Sequence, residues 1–125
     1  MNRQVFFLAR TLGFVFALAA QATTQYWDGG NADIAANGNG ISAGTAGTWN
    51  TTLLNWDRGV GLAHAVWNSA VPDSAVFGGM PGLVTLGSDI IADSVTLNAG
   101  GYIFDTGTNT LTLATLAGSG PLTKT

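Results

Sequence analysis

The sequence predicts an all-β protein, and three observations carry that expectation. Only 9% of the 125 residues are charged, all seven acidic residues are Asp, and Lys occurs once, at Lys124. The Glu and Lys that build most helices are therefore missing. Gly (18 residues) and Thr are abundant, a balance that suits short strands joined by tight turns. Apolar residues alternate with Thr in Val84-Thr85-Leu86, Val95-Thr96-Leu97 and Leu111-Thr112-Leu113, the period-two pattern of strands with one buried face. The same composition excludes whole classes of function. Without Cys there is no disulfide, thiolate nucleophile or Cys-bound metal. Four basic residues are too few to form an electrostatic footprint for nucleic acid.

Residues 1–22 read as an export signal. Arg3 and Arg10 supply a positive start, residues 11–20 are mostly apolar, and Ala20-Gln21-Ala22 is the small-x-small pattern that precedes a cut. Cleavage is expected between Ala22 and Thr23. Ten helical residues span about 15 Å, half of the roughly 30 Å hydrocarbon core, so the segment is too short for an anchor. No second apolar stretch of spanning length follows, and the mature chain is expected to lack a transmembrane segment. It keeps Arg58 and Lys124 against seven Asp, a net charge of −5. The expected location is extracellular or on the outer surface of a bacterium.

Residues 23–73 form the second zone, expected to be an irregular cap. All four Trp lie here, and each is followed by Asp or Asn: Trp27-Asp28, Trp49-Asn50, Trp56-Asp57 and Trp67-Asn68. An aromatic ending a strand, followed by an Asx residue that bonds its own backbone, accounts for the pairing. Residues 29–47 contain only Ile34 and Ile41 as large apolar side chains, so this stretch is expected to stay loose.

Residues 74–125 read as a run of short strands, expected to belong to a longer chain because Leu111, Leu113, Leu116 and Leu122 continue to the terminus without a polar cap. Inward positions recur at Phe77, Leu86, Leu97, Phe104, Leu113 and Leu122, with Gly- and Asn-rich turns between them. Such spacing fits an antiparallel β-sandwich or a parallel β-solenoid. The scarcity of charge favours the solenoid, whose stacked turns suit small uncharged residues. Self-association through an uncapped solenoid end is expected.

Candidate chemistry is sparse. Gly40-Ile41-Ser42-Ala43-Gly44 matches the G-x-S-x-G pattern, with Asp57 and His64 following in hydrolase order. The strand before and helix after that a nucleophile elbow needs are both missing, so Ser42 is expected to be an ordinary loop serine. His64 has no second His, Cys or Glu nearby and is expected to sit on a half-buried strand. Asp28-Gly29-Gly30-Asn31-Ala32-Asp33 lacks calcium-loop spacing. Asp89 and Asp93 look like turn and strand-end residues, not a glycosidase pair. No catalytic residue, cofactor site or metal site is expected. The indoles of Trp27, Trp49, Trp56 and Trp67 could stack on sugar rings if exposed; the favoured expectation is that they are buried and close the first coil.

Tyr26-Trp27-Asp28, Gly47-Thr48-Trp49-Asn50, Asn55-Trp56-Asp57, Trp67-Asn68 and Pro72-Asp73-Ser74-Ala75-Val76-Phe77-Gly78-Gly79 together resemble the amino-terminal part of bacterial proteins with autotransporter-associated β-strand repeats. Residues 109–113 continue the pattern, and residues 118–125 look like the opening of the repeat itself. The resemblance covers 26–125. It implies a passenger-like right-handed parallel β-helix at the cell surface, non-enzymatic and structural or adhesive, with a surface glycan or protein as partner. The alternative is a small secreted carbohydrate-binding module with exposed Trp.

Overall fold

The computed structural model describes residue 13, residues 21–30 and residues 34–125. Most of the export-signal segment lies outside the described residues. Among those described there are nine strands and no helix, as the composition predicts: β1 (Thr24–Trp27), β2 (Gly47–Trp49), β3 (Trp56–Asp57), β4 (Ser74–Phe77), β5 (Leu83–Leu86), β6 (Ile90–Leu97), β7 (Ile103–Asp105), β8 (Leu111–Gly118) and β9 (Thr123–Lys124). They form two sheets, one in the order β3-β1-β4-β6-β8 and the other β2-β5-β7-β9.

Parallel pairing dominates. Six strand pairs are parallel, and the antiparallel arrangement is confined to β1 with β3 and an adjoining bridge between Trp56 and Ala65. A parallel pair needs a crossover. From β4 onward, the crossover is a strand of the other sheet. The chain returns to the same level after 20 residues, where Ala75 meets Val95 and Val84 meets Phe104, or after 21, where Ile90 meets Leu111. The expected inward positions, seven to eleven residues apart, thus mark half a circuit each.

Alternation decides which residues enter the core. Phe77, Val84, Leu86, Val95, Leu97 and Phe104 are buried, whereas Thr85 and Thr96 on the opposite face are half-exposed. Ile90, Ala92 and Tyr102 join the same buried cluster. The expectation of an equally buried core out to Leu113 and Leu122 fails. Leu111 and Leu113 are only partly buried, Leu116 is 47% exposed and Leu122 38%. The reason is position: β8 covers β6, and no described strand covers β8.

At the opposite end the four indoles complete the core. Trp27, Trp49, Trp56 and Trp67 are 0–1% exposed and pack edge-on or tilted, with centroid spacings of 4.7–5.2 Å. Phe77 is the joint. It lies 5.4 Å from Trp27 and Trp49, 5.6 Å from Trp56, 5.3 Å from Tyr102 and 5.1 Å from Phe104. Cap and ladder therefore share one hydrophobic cluster.

Candidate functional site

The densest polar chemistry lies beside the indoles, where β1 and β3 run antiparallel. Trp27 faces Trp56 and Tyr26 faces Asp57 in the register. Asp28 and Asp57 follow directly on the two Trp, and both are fully buried. Their carboxylates replace the backbone partners that an irregular loop would otherwise lack. Asp57 Oδ2 accepts from the amides of Asn39 and Gly40, each at 2.8 Å, and its Oδ1 accepts from Gly59 at 2.6 Å. Burial alone would raise its pKa. The three amides, with the nearby His64 ring, outweigh that effect and hold the carboxyl below its ordinary value. Gly38 is dictated by this contact, because a Cβ there would lie 2.0 Å from Asp57 Oδ1.

Asp28 Oδ1 accepts from the Ala43 amide at 2.7 Å, and Oδ2 lies 2.9 Å from His64 Nε2. His64 Nδ1 lies 3.1 Å from the Ala36 carbonyl. A carbonyl can only accept, so Nδ1 carries a proton. Both ring nitrogens lie within hydrogen-bond reach of an oxygen. The Asp28–His64 contact thus joins two buried side chains 36 residues apart in sequence. Its worth lies in holding one arrangement of the loop more than in raw stability.

Hydrogen bonds tie residues 38–45 of the loop over this cluster to their neighbours. Gly38 N–H donates to the Leu62 carbonyl, Gly44 to Trp27, Thr45 to Met80, and Met80 back to Ala43. Gly44 has φ of +83°, and a Cβ there would lie 2.3 Å from the Met80 carbonyl oxygen. Only glycine fits both demands. The looseness expected for 29–47 counted apolar side chains and missed the two carboxylates and these backbone bonds, which stitch the described residues 38–45 to the core.

Ser42, read as an ordinary loop serine, is buried. Its hydroxyl donates to the Trp27 carbonyl at 2.6 Å and accepts from the Gly78 amide at 3.0 Å, so it joins cap to ladder. His64, expected on a half-buried strand, sits in a loop at 8% exposure with its ring turned to Asp28. Tyr102 completes the polar layer. Its hydroxyl donates to the Gly78 carbonyl at 2.5 Å. Burial pushes the phenol up to about 12, with the charge of Asp28 adding to the rise.

Asp28, Asp57 and His64 are the one group among the described residues whose ligand atoms approach closely enough, within 4.8 Å of one another, to hold a cation. Their lone pairs are engaged by backbone amides and by each other, so the arrangement acts as a scaffold. Sequence reasoning missed it because each Asp was assigned to its own turn. The signal was present in the repeated Trp-Asp pair, a buried aromatic immediately followed by a carboxylate.

The indoles have no open ring face for a sugar, which corrects the stacking-platform reading of Trp27, Trp49, Trp56 and Trp67. Trp27 Nε1 donates to the Thr45 carbonyl and Trp67 Nε1 to Ile91, both at 2.9 Å. The suggested cleavage residues behave differently: Ala22 and Thr23 are exposed. Asp89 accepts from the Thr110 amide and Asp93 from the Ser74 hydroxyl, positions that fit turn and strand-end duty. At the other end of the ladder, Phe104, Leu111, Leu113 and Leu122 line an apolar cleft of about 240 Å³ between β8 and β9.

Comparison with known proteins places this geometry in a lineage. The chain is 39% identical over 107 residues, 83% of its length, to the adhesin BmaC autotransporter of Brucella suis biovar 1 (strain 1330). The chain is autotransporter-related. It spans about 3% of that relative's length. No family model matches the chain, and no solved structure matches it. No described helix is long and apolar enough to cross a membrane.

Proposed function

We propose that this chain is an exported, non-enzymatic segment of a bacterial surface passenger with autotransporter-associated β-strand repeats. Residues 23–73 cap the first coil of a right-handed parallel β-solenoid, and residues 74–125 begin its repeats. The observation that carries the reading is the match over 107 residues to an autotransporter adhesin. The parallel pairs, returning every 20 or 21 residues, support the solenoid. The buried indoles support a closing cap, since they shield the ladder's first coil from water. The exposed apolar edge at β8 and β9 suits the stacking of a further coil. The role is to start a surface fibre and present its flank to a glycan or protein on another surface.

Labelling of intact bacteria that produce this chain, with antibodies against residues 23–125, tests the proposal. Label on intact cells, together with a fall in adherence when the antibody is present, is the expected result. Label that appears only after lysis would overturn it.

A further inference from the structure

At the start of β1 the backbone already points a nitrogen at a carboxylate. Thr23 N–H donates to Asp73 Oδ1 at 2.8 Å, and Gln25 Nε2 donates to Asp73 Oδ2 at 2.5 Å. Thr23 is held from its other end as well, because its carbonyl accepts from the Ser74 amide at 2.8 Å. On the next strand the Asp93 amide donates to the Asp73 carbonyl at 2.9 Å. Thr23, Asp73 and Asp93 therefore occupy one level on three adjacent strands. Two acidic residues share that level, and among the described residues no side-chain cation lies within ion-pair distance of either. Arg58 lines the groove that also holds Thr23, Gln25 and Asp73, without such a contact.

Thr23 is also the residue after Ala20-Gln21-Ala22, and residues 21–23 are exposed to a peptidase. We propose that Asp73 is the receptor for a new amino terminus made by cleavage after Ala22. An endopeptidase of the export pathway adds one water across the Ala22–Thr23 peptide bond. Ala22 leaves with a carboxylate, and the Thr23 nitrogen is released as an amine that takes up a proton. The nitrogen need not move: the neutral N–H···Oδ1 bond becomes an ammonium–carboxylate pair, with Asp93 one strand further on. Processing thus tightens the first strand of the ladder, so the mature chain folds more firmly than its precursor. This inference rests on the export reading above, and the experiment separates the two.

The processed protein is isolated from the exported fraction of cells producing the full chain, and its amino terminus is sequenced. Its α-amine is then tagged by reductive methylation with ¹³C-formaldehyde and titrated by NMR at low ionic strength. Groups facing the amine are Asp73 and Asp93, which raise its pKa, and Arg58 across the groove, which lowers it. The expected result is a start at Thr23 and a midpoint about one pH unit above the ordinary α-amino value of roughly 7.7–8.0. Asp73→Asn should return the midpoint to the ordinary value, while Asp89→Asn leaves it raised. If Asp73→Asn does not fold, the wild-type amine titrated in denaturant supplies the reference. A start at Thr23 with an ordinary midpoint, or one that Asp73→Asn leaves unchanged, would overturn the Asp73 assignment and spare the export reading. Retention in the cytoplasm with a start at Met1 would overturn both.

Discussion

The two ends of the molecule solve the same problem with different chemistry. In the ladder, residues 74–125, backbone groups find partners by repetition: each strand donates and accepts across parallel neighbours, and turns need only small residues. In the described part of residues 23–73, the chain is irregular, and side chains serve as the partners. Asp57 takes three amides, Asp28 takes one amide and the His64 ring, and Ser42 bridges Trp27 to Gly78. A repeating sheet can grow in either direction, whereas a layer of buried carboxylates and indoles cannot be extended. The two regions thus differ in whether their bonding pattern can repeat. Burial follows the same gradient, from indoles at 0–1% exposure to a last long strand in which five consecutive residues, 114–118, are exposed.

The largest effect should come from placing a charge where the ladder is sealed on both sides. Leu97→Asp buries a carboxylate without a partner at a site 1% exposed, and should cost about 5 kcal/mol or unfold the chain. Thr96→Asp, on the opposite face, should cost less than about 1 kcal/mol. Urea midpoints for the two proteins measure this, and equal losses would show that the inward register is misassigned. Phe77→Ala attacks the joint between the regions and should cost about 3–5 kcal/mol. Because Phe77 touches both Trp and Phe104 rings, Trp fluorescence and far-UV dichroism should still report one shared transition at lower denaturant. Two separated transitions in the wild type would mean that cap and ladder are independent.

Asp57→Asn should cost about 3 kcal/mol, since three amides lose a charged acceptor and one faces an NH₂ group instead. The same carboxyl sets an acid limit. Its pKa is lower in the folded chain than the ordinary 3.8, so the unfolded state binds the proton more readily. Its stabilisation is complete above about 3.8 and falls away as pH drops through the lowered folded value. Acid unfolding curves of wild type and Asp57→Asn should therefore converge at low pH. Curves that stay parallel would rule out this carboxylate as the acid-sensitive group. The smallest effect belongs to the open end: Leu116→Asp, on β8 in register with buried Val95, should cost under about 1 kcal/mol. It should also weaken self-association through the exposed edge, measured by sedimentation equilibrium.

The ladder was legible in the sequence because its determinants are local. Alternation places Val84, Leu86, Val95 and Leu97 inside one residue at a time, and Gly-rich turns mark where each strand ends. The burial of Leu113 was misjudged, since period two tells which face is inward and not whether another strand covers it. The cap was legible only in part. The four Trp marked its core, but apart from Gly59 beside Asp57 the partners of Asp28, Asp57 and His64 lie 15 to 36 residues away. An Asx residue after an aromatic reads as a turn in sequence, and only the approach of β1 to β3 brings both carboxylates under one loop.

The central claim is that side-chain partners make the cap loop as firm as the repeating sheet, and native-state hydrogen exchange tests it most directly. The amides of Gly38, Asn39, Gly40, Ala43, Gly44 and Thr45 each have a named acceptor elsewhere in the fold. Their protection should match that of the β4 and β6 amides, and exceed that of β9 and the 107–108 turn. Exchange at residues 38–45 as fast as at that turn would contradict the account, because it would show a loop draped over the indoles and not bound to them.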